Sequence, residues 1–326
     1  MKKALKVIGI ILLVIIIGIA ATGTYVKTAL PNVGEAPTIK IDRTPERVER
    51  GRYLAHHVAV CMDCHSSRDW SKFGGPMTAD NLGGGGEPFN KDMGFPGTFY
   101  APNITPYKLG SWTDGEIFRA VTTGVNKDGK ALFPIMGYHR FGRMDEEDIY
   151  AIIAYIRSLA PIAKDIPASV ADFPVNFLIN TMPAKAELSK RPDPADQVAY
   201  GKYMINATGC IDCHSKTDKG AVIAGTELGG GMEFRQPGGA VTSPNITFDK
   251  ETGIGDWTKE VFVQKFKTYT DSGFIPRKLN PGELNSPMPW SMYAGMTTTD
   301  LEAIYAYLKS VTPIKHQVER YKYDKK

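Results

Sequence analysis

The sequence predicts an all-α fold in which two tandem domains with long loops follow one N-terminal transmembrane helix. Three observations lead to this prediction: an apolar run opens the chain, apolar residues recur at helical spacing before prolines, and the pattern Cys-x-x-Cys-His occurs twice. The chain has 326 residues, which is enough for two domains that each bury a core. Its formal net charge of +4 is small for this length and gives no reason to expect a nucleic-acid partner.

The first segment, residues 1–26, is predicted to be a membrane anchor or a signal segment. Three lysines precede an apolar run from Val7 to Ala21, which continues more weakly to Val26. A run of about 20 apolar residues can cross a bilayer as one helix. A cleaved signal peptide, which would leave a soluble periplasmic protein, is the alternative, although the cleavage site is unconvincing. In either case the lysines keep the N-terminus inside, and the domains lie on the periplasmic or outer side.

The rest of the chain divides into two similar units. The predicted segments are a tether at 27–43, a first domain at 44–162, a Pro-rich linker at 163–195, a second domain at 196–315 and a charged tail at 316–326, which is expected to be exposed. The linker carries the apolar patch Val175–Ile179, so it is predicted to pack against the domains.

Capping residues and prolines predict where the helices begin and end. Thr44 caps a helix that has Pro45 at its first position, and Thr113 with Glu116 forms a capping box. The remaining predicted limits are Gly124 for the end of the capping-box helix, Asp145 and Pro161 for the long helix of the first domain, and Thr299 and Pro313 for the last helix of the second.

The second unit repeats the first, and two tandem copies of one fold explain the repetition. The matched segments are Gly51–Leu54 with Gly201–Met204, Leu82–Gly85 with Leu228–Gly231, Ala101–Thr105 with Ser243–Thr247, and Trp112-Thr113 with Trp257-Thr258.

The two Cys-x-x-Cys-His motifs predict two covalently attached haem c groups. Two cysteines three apart lie on nearly one face of a helical turn, where their thiols can bond a haem while the next histidine ligates the iron. A redox dithiol or half of a zinc site is the alternative, but neither accounts as well for the repeated histidine. The predicted attachment residues are Cys61, Cys64, Cys210 and Cys213, and the predicted iron ligands are His65 and His214.

The second iron ligands are predicted from the repeat. Met136 and Met288 each lie eight residues before a methionine that precedes a final helix, and each lies in a proline-containing loop. A His/Met pair is a recognised ligation in cytochromes c. The alternatives are His139 in the first unit, and Met292 or Met296 in the second.

Several other residues have a structural reading that is favoured over a functional one. Two neighbouring histidines, His56 and His57, are expected to pack and not to ligate iron. Turn chemistry is favoured for Asn103 and Asn245 over contact with a haem propionate. Helix-entry packing is favoured for the two repeated tryptophans over lining of a haem edge. A docking surface for an acidic partner is a weaker possibility at Arg140, Arg143, Arg277 and Lys278.

With these motifs in place, residues 44–315 resemble the class I diheme cytochromes c, similar to the cytochrome c subunits of membrane-bound dehydrogenases. The resemblance rests on CxxCH, then PNIT with a following W-T, then a PxM or PM segment before a helix ending in AYIRSLAPI or AYLKSVTPI. It implies two tandem cytochrome c domains, each with three or more helices around its haem.

The expected function is electron transfer, because two filled axial positions leave no site for a substrate. The expected partners are a donor dehydrogenase or quinol-oxidising complex and an acceptor cytochrome or oxidase. A diheme enzyme of the peroxidase kind, in which one haem opens its distal side, is the alternative. A thiosulfate dehydrogenase with an axial cysteine is disfavoured because no cysteine remains, and a docking subunit that holds haems in a larger complex is the third reading.

Overall fold

The computed structural model describes residues 2–270 and 274–324. Its first element is an apolar helix, α1 (Lys2–Thr28). The most apolar 18-residue part of α1 has a mean hydropathy of 2.9 and no buried residue. The helix is therefore long and apolar enough to cross a membrane, and the same properties are found in signal sequences.

The first domain is helical, and its capping residues act as predicted. The Thr44 hydroxyl accepts a hydrogen bond from the Arg47 N–H, and Thr113 and Glu116 form the expected capping box. Asp145 caps the long helix α7 through the Glu147 N–H. The helices are α2 (Pro45–Tyr53), a π-helical turn (Leu54–Val58), α3 (Cys61–Cys64), α4 (Pro106–Leu109), α5 (Asp114–Thr123), α6 (Tyr138–Phe141) and α7 (Glu146–Ser158), with short 3₁₀ turns at Ala79–Asn81 and Lys91–Met93.

The linker and the second domain continue the same pattern. Their helices are α8 (Val175–Leu178), a 3₁₀ turn (Ile179–Thr181), α9 (Gln197–Thr208), α10 (Cys210–Cys213), α11 (Lys259–Lys267), α12 (Trp290–Tyr293) and α13 (Thr298–Ser310). The predicted cap of α13 at Thr299 is wrong, because the Thr297 hydroxyl accepts from the Asp300 N–H. Because three threonines are consecutive, the sequence does not show which of them caps the helix. With Thr297 as the cap, Asp300 lies in the first turn of α13.

Each domain is built on one close helix crossing. A Cβ added at Gly51 of α2 would lie 1.8 Å from the Ala151 carbonyl oxygen of α7. In the second domain a Cβ at Gly201 of α9 would lie 1.9 Å from the Ala303 oxygen of α13. These glycines allow the backbones to touch, and the apolar faces of the crossing helices form most of the core.

The strands are short and flank the helices. They are β1 (Pro88–Phe89), β2 (Gly97–Tyr100), β3 (Val170–Ala171), β4 (Thr217–Asp218), β5 (Ala221–Val222), β6 (Glu233–Gln236), β7 (Gly239–Thr242) and β8 (Tyr321–Tyr323), in antiparallel sheets ordered β1-β2-β3, β4-β5 and β6-β7-β8. The charged tail therefore ends in a strand on β7, because main-chain pairing does not depend on its charged side chains.

The tether and the linker are both packed. The Ile41 N–H in the tether donates to Asp114 Oδ2 at 2.9 Å, and the Ile41 side chain is buried. In the linker, β3 pairs with β2 of the first domain, as packing against the domains predicts. The apolar patch itself, however, packs against the C-terminal end of α1, where a Cβ at Gly23 would lie 3.9 Å from Phe177 Cζ.

Candidate haem-attachment sites

Each Cys-x-x-Cys-His motif forms one helical turn that ends at its histidine. The His65 N–H donates to the Cys61 carbonyl at 3.0 Å, and the His214 N–H donates to the Cys210 carbonyl at 2.8 Å. All four cysteines are free thiols. The turn brings the two cysteines of each motif to neighbouring positions and ends at the histidine.

His65 is buried and His214 is partly buried, and a proline carbonyl holds each of them in one tautomer. His65 Nδ1 lies 2.8 Å from the Pro102 oxygen, and His214 Nδ1 lies 2.9 Å from the Pro244 oxygen. A carbonyl only accepts hydrogen bonds, so Nδ1 carries the proton and Nε2 keeps a lone pair. Burial lowers the pKa of both imidazoles. Each domain thus presents a neutral imidazole with a free Nε2, which is the form that ligates a metal.

Glycines hold each proline carbonyl against its histidine. The Gly85 N–H donates to the His65 carbonyl at 2.9 Å, and a Cβ at Gly85 would lie 2.5 Å from the Pro102 carbonyl carbon. Gly230 makes the same two contacts with His214 and Pro244 in the second domain. The glycine-rich loops therefore position the histidine.

These contacts correct the predicted register of the glycine repeat by one residue. Gly83 and Leu228 both donate to the hydroxyl of the serine after the motif, and both have positive φ, at 78° and 65°. Leu228–Gly231 therefore matches Gly83–Gly86 and not Leu82–Gly85. The leucine shared by the two segments misled the sequence comparison.

The two repeated asparagines have the structural role. Asn103 Oδ1 accepts from the N–H and the hydroxyl of Thr105, and its amide donates to the carbonyls of Ile162 and Lys164. Asn245 makes the equivalent bonds to Thr247 and to the Ile314 carbonyl. Both amides join the histidine-bearing loop to the chain after the last helix.

Met136 and Met288 lie in matching positions. Each is partly buried against the core, and each accepts a hydrogen bond on its carbonyl from the residue two positions later, at 2.6 and 2.8 Å. The short helices α6 and α12 follow them directly. The two methionines predicted by counting along the repeat are therefore structurally equivalent.

The alternative ligands occupy other environments. His139 is exposed on α6. Met296 is fully buried in the core, as is its counterpart Met144 in the first domain. Met292 is also buried, at the position that corresponds to Arg140 in the first domain. His139 and Met292 correspond to Ser291 and Arg140 in the other domain, and Met296 and Met144 are enclosed by the core, whereas Met136 and Met288 are matched and only partly buried.

The thiol environment argues against the competing readings of the motif. Burial raises the pKa of Cys61 to about 11 and that of Cys64 to about 12, so both are protonated at neutral pH. A redox-active dithiol needs a lowered pKa. Within residues 2–270 and 274–324, moreover, no group of three or more His, Cys, Asp or Glu side chains could hold a metal such as zinc.

One buried side chain in the first domain fits a polar group of a bound cofactor. The Tyr138 hydroxyl is fully buried and has no hydrogen-bond partner among the described residues. Its ring is pressed on Gly124, where a Cβ would lie 2.5 Å from Tyr138 Cε1. A buried donor of this kind is costly unless something accepts from it, and a carboxylate of a bound haem would do so. The residues present therefore fit a haem.

Contacts across the domain boundary join the two sites, and sequence reasoning missed them. His57 Nδ1 donates to the Met292 carbonyl at 2.7 Å, and Asn206 Nδ2 donates to the Arg140 carbonyl at 2.8 Å. His57 and Asn206 hold the same position before their motifs. In each domain, the residue four positions before the haem motif thus contacts the short helix that follows the proposed methionine ligand of the other domain.

Charged and aromatic groups reinforce this boundary. Arg140 donates to the Ala207 carbonyl, and its Nε lies 3.2 Å from Asp212 Oδ2. Tyr293 donates to the Thr208 carbonyl at 2.6 Å. Arg140 is therefore part of the domain interface, which removes it from the predicted docking surface. Arg277 is paired with Glu283.

Two tyrosines bridge the domains at the other side of the helix crossings. Tyr203 donates to Asp148 Oδ2 at 2.7 Å, and Tyr53 donates to Asp300. Each aspartate stands in the first turn of the other domain's last helix. The repeat of Tyr53 and Tyr203 was visible in the sequence, but its purpose depends on the pairing of the domains.

Comparison with known proteins gives the family relationship of the second domain. Residues 198–312 match the family model described as Cytochrome c. The second domain is therefore a cytochrome c domain, which implies covalently attached haem c.

Longer relatives match most of the chain. It is 27% identical over 292 residues to the cytochrome c subunit of the quinone alcohol dehydrogenase of Gluconacetobacter polyoxogenes, covering 85% of this chain and 58% of that relative. It is 27% identical over 312 residues to the fructose dehydrogenase cytochrome subunit of Gluconobacter japonicus, covering 89% and 58%. The chain thus spans somewhat more than half of these subunits. A diheme cytochrome c-type protein of Cereibacter sphaeroides is 27% identical over 266 residues, covering 78% of this chain and 83% of that protein.

Proposed function

We propose that the chain is a membrane-anchored electron-transfer cytochrome with two covalently attached haem groups. The observation that carries the proposal is the duplicated imidazole, whose Nδ1–H donates to a proline carbonyl and whose Nε2 keeps its lone pair. A haem, when bound, supplies one-electron chemistry at its iron.

The proposed residues divide into attachment and ligation. Thioether bonds would involve Cys61, Cys64, Cys210 and Cys213, and iron ligation would involve His65 with Met136 and His214 with Met288. With both axial positions filled, neither site would admit a substrate. The burial of His65, the partial burial of His214 and the apolar surroundings of the methionines favour a raised reduction potential.

The proposed location follows from α1. We infer that α1 remains as an anchor, with Lys2, Lys3 and Lys6 on the inner side and the haem domains on the periplasmic or outer side. The proposed donor is a dehydrogenase or a quinol-oxidising complex, and the proposed acceptor is a cytochrome or an oxidase. The similarity to the cytochrome subunits of the alcohol and fructose dehydrogenases supports this class of partner.

The test is the spin state of each haem in the full chain purified in detergent. Haem and iron content should give two haems per chain, and EPR spectra should show two low-spin signals. Met136→Ala and Met288→Ala should each convert one signal to high spin. Met296→Leu, a substitution of similar volume in the core, should leave both signals low-spin and is the matched control.

Two results would contradict the proposal. If neither alanine variant changes the spectrum, the ligand assignment is wrong. If the unmodified protein already contains a high-spin haem that binds peroxide, the diheme enzyme reading replaces pure electron transfer.

A further inference from the structure

The apolar segment of the linker lies against the C-terminal end of α1. Phe177 Cζ approaches Gly23 so closely that an added Cβ would lie 3.9 Å away, and Asn180 Nδ2 donates to the Val26 carbonyl at 3.4 Å. Val26 is the buried residue of α1. The linker segment thus contacts α1 at the point where the apolar helix joins the rest of the protein.

The linker segment that makes this contact also carries large apolar side chains that are exposed. Phe173 is 84% exposed, Val170 is 64% exposed and Leu178 is 42% exposed. Single exposed apolar residues are common on protein surfaces, but a group of large ones on one short segment marks an interaction site. We refer to Val170, Phe173 and Leu178 as the linker patch.

The length of α1 determines how far from the inner membrane surface its contact with the linker lies. The stretch from Leu5 to Tyr25 is roughly 30 Å long, which is about the thickness of the hydrocarbon core. If the N-terminal lysines lie at the inner surface, Gly23 and Val26 lie at the outer interface. Tyr25, which is 59% exposed, stands at the same level. Aromatic side chains are enriched at this depth of a membrane.

The linker patch is also fixed to the first domain. Strand β3, which contains Val170, pairs with β2, and the Asp172 N–H donates to the Pro96 carbonyl at 2.9 Å. Asp172 further pairs with Lys91 at 2.9 Å. A contact made by the linker patch would therefore hold the position of the whole first domain.

We propose that the linker patch inserts into the interfacial region of the outer leaflet of the bilayer that α1 crosses. This inference rests on the proposed anchoring by α1. Its partner is lipid, because the segment that carries the linker patch packs on the C-terminal end of the exposed apolar helix α1, at the level of the membrane interface. The first domain then sits against the membrane surface, where a membrane-bound electron donor can reach it.

The experiment is spin-label accessibility in the full chain, reconstituted in phosphatidylcholine vesicles. The native cysteines are taken up by haem attachment, so Phe173→Cys and Leu178→Cys each supply one nitroxide site. Val261→Cys is the matched control, since Val261 is a 50% exposed apolar residue on α11 in the second domain. Measurements on the reduced protein avoid paramagnetic haem iron.

The ratio of oxygen to nickel-complex accessibility separates lipid from water. At positions 173 and 178 this ratio should be several-fold higher than at position 261. Equal ratios at all three positions would overturn the proposal by placing the linker patch in water. Low accessibility to both reagents at 173 and 178 would overturn it in favour of a protein partner. Anchoring is tested separately, because its failure would release the whole protein from vesicles in an alkaline wash.

Discussion

The chain before the haem motif differs between the two domains. The segment from Gly51 to Cys61 is one residue longer than the segment from Gly201 to Cys210. In the first domain, α2 passes into a π-helical turn at Leu54–Val58, whereas α9 runs as regular α-helix to Thr208. A π-helical turn accommodates one extra residue in a helix, and such turns are frequent at functional sites.

Both segments end in a left-handed residue directly before the first cysteine, but the residue type differs. Gly209 has φ of 75°, which glycine adopts freely, and Val60 has φ of 48°, which costs a β-branched residue about 1–3 kcal/mol. The first domain therefore reaches the same motif geometry with a strained backbone at Val60. Counted back from the first cysteine, His56 and His57 of the first domain stand where the second domain has Ile205 and Asn206.

The two aspartates that accept hydrogen bonds from the bridging tyrosines also have different neighbours. Asp148 lies 3.0 Å from Arg50 and 2.7 Å from Arg191, whereas Asp300 accepts from the Tyr200 hydroxyl at 2.8 Å. Arg50 and Tyr200 occupy the same position in the repeat. The interface thus combines an ion-paired carboxylate on one side with a carboxylate bonded by neutral hydroxyls on the other.

The largest predicted difference between the domains follows from this contrast. Asp148→Asn should lower the free energy of unfolding by about 3 kcal/mol, because it leaves two arginines facing a neutral amide. Asp300→Asn should cost about 1 kcal/mol, because an amide oxygen can still accept from a tyrosine. Urea unfolding of the full chain in detergent measures both.

The control for these variants is a surface ion pair. Glu147 is 59% exposed and pairs with Arg47, so Glu147→Gln should change the stability by less than about 0.5 kcal/mol. Equal losses at Asp148 and Asp300 would contradict the proposed difference between the two sides of the interface.

The second prediction concerns the two donors that cross the domain boundary. His57→Ala and Asn206→Ala should each cost about 1 kcal/mol, because each leaves a carbonyl of the other domain without its donor. His57→Asn should lose less free energy of unfolding than His57→Ala, since asparagine is the donor that the second domain has at this position. Urea unfolding gives the losses, and redox titration of the same variants shows whether the methionine loops have moved.

A structural role alone would appear as a stability loss with unchanged potentials. A shift in the potential of one haem would show that the contact also positions the loop of the other domain. If His57→Asn were as unstable as His57→Ala, the equivalence of the two donors would be wrong.

Local spacing explains what could be predicted from the sequence. Caps such as Thr44 and Thr113 act within one turn, so their patterns were sufficient, and the doubled motif gave the two-domain plan. The bonds of His57, Tyr53 and Asp148 join residues far apart in the chain, and no local pattern encodes them. The strand β8 and the contact of the linker with α1 were missed for the same reason.

The smallest predicted difference is an acid sensitivity that arises at His56, a position where the second domain has Ile205. Burial lowers the pKa of His56 from 6.5 to about 4, and its Nε2 lies 2.7 Å from the Tyr155 hydroxyl. Between these pH values the unfolded chain binds more protons than the folded one, so the free energy of unfolding falls as the pH is lowered from 6.5 towards 4. Because the ring is partly exposed, we expect a loss of about 1–2 kcal/mol. His56→Gln should reduce this dependence in urea unfolding at pH 4 and pH 7, whereas Asn206→Ala, which removes no titrating group, should retain it; an unchanged pH dependence in His56→Gln would show that His56 is not its source.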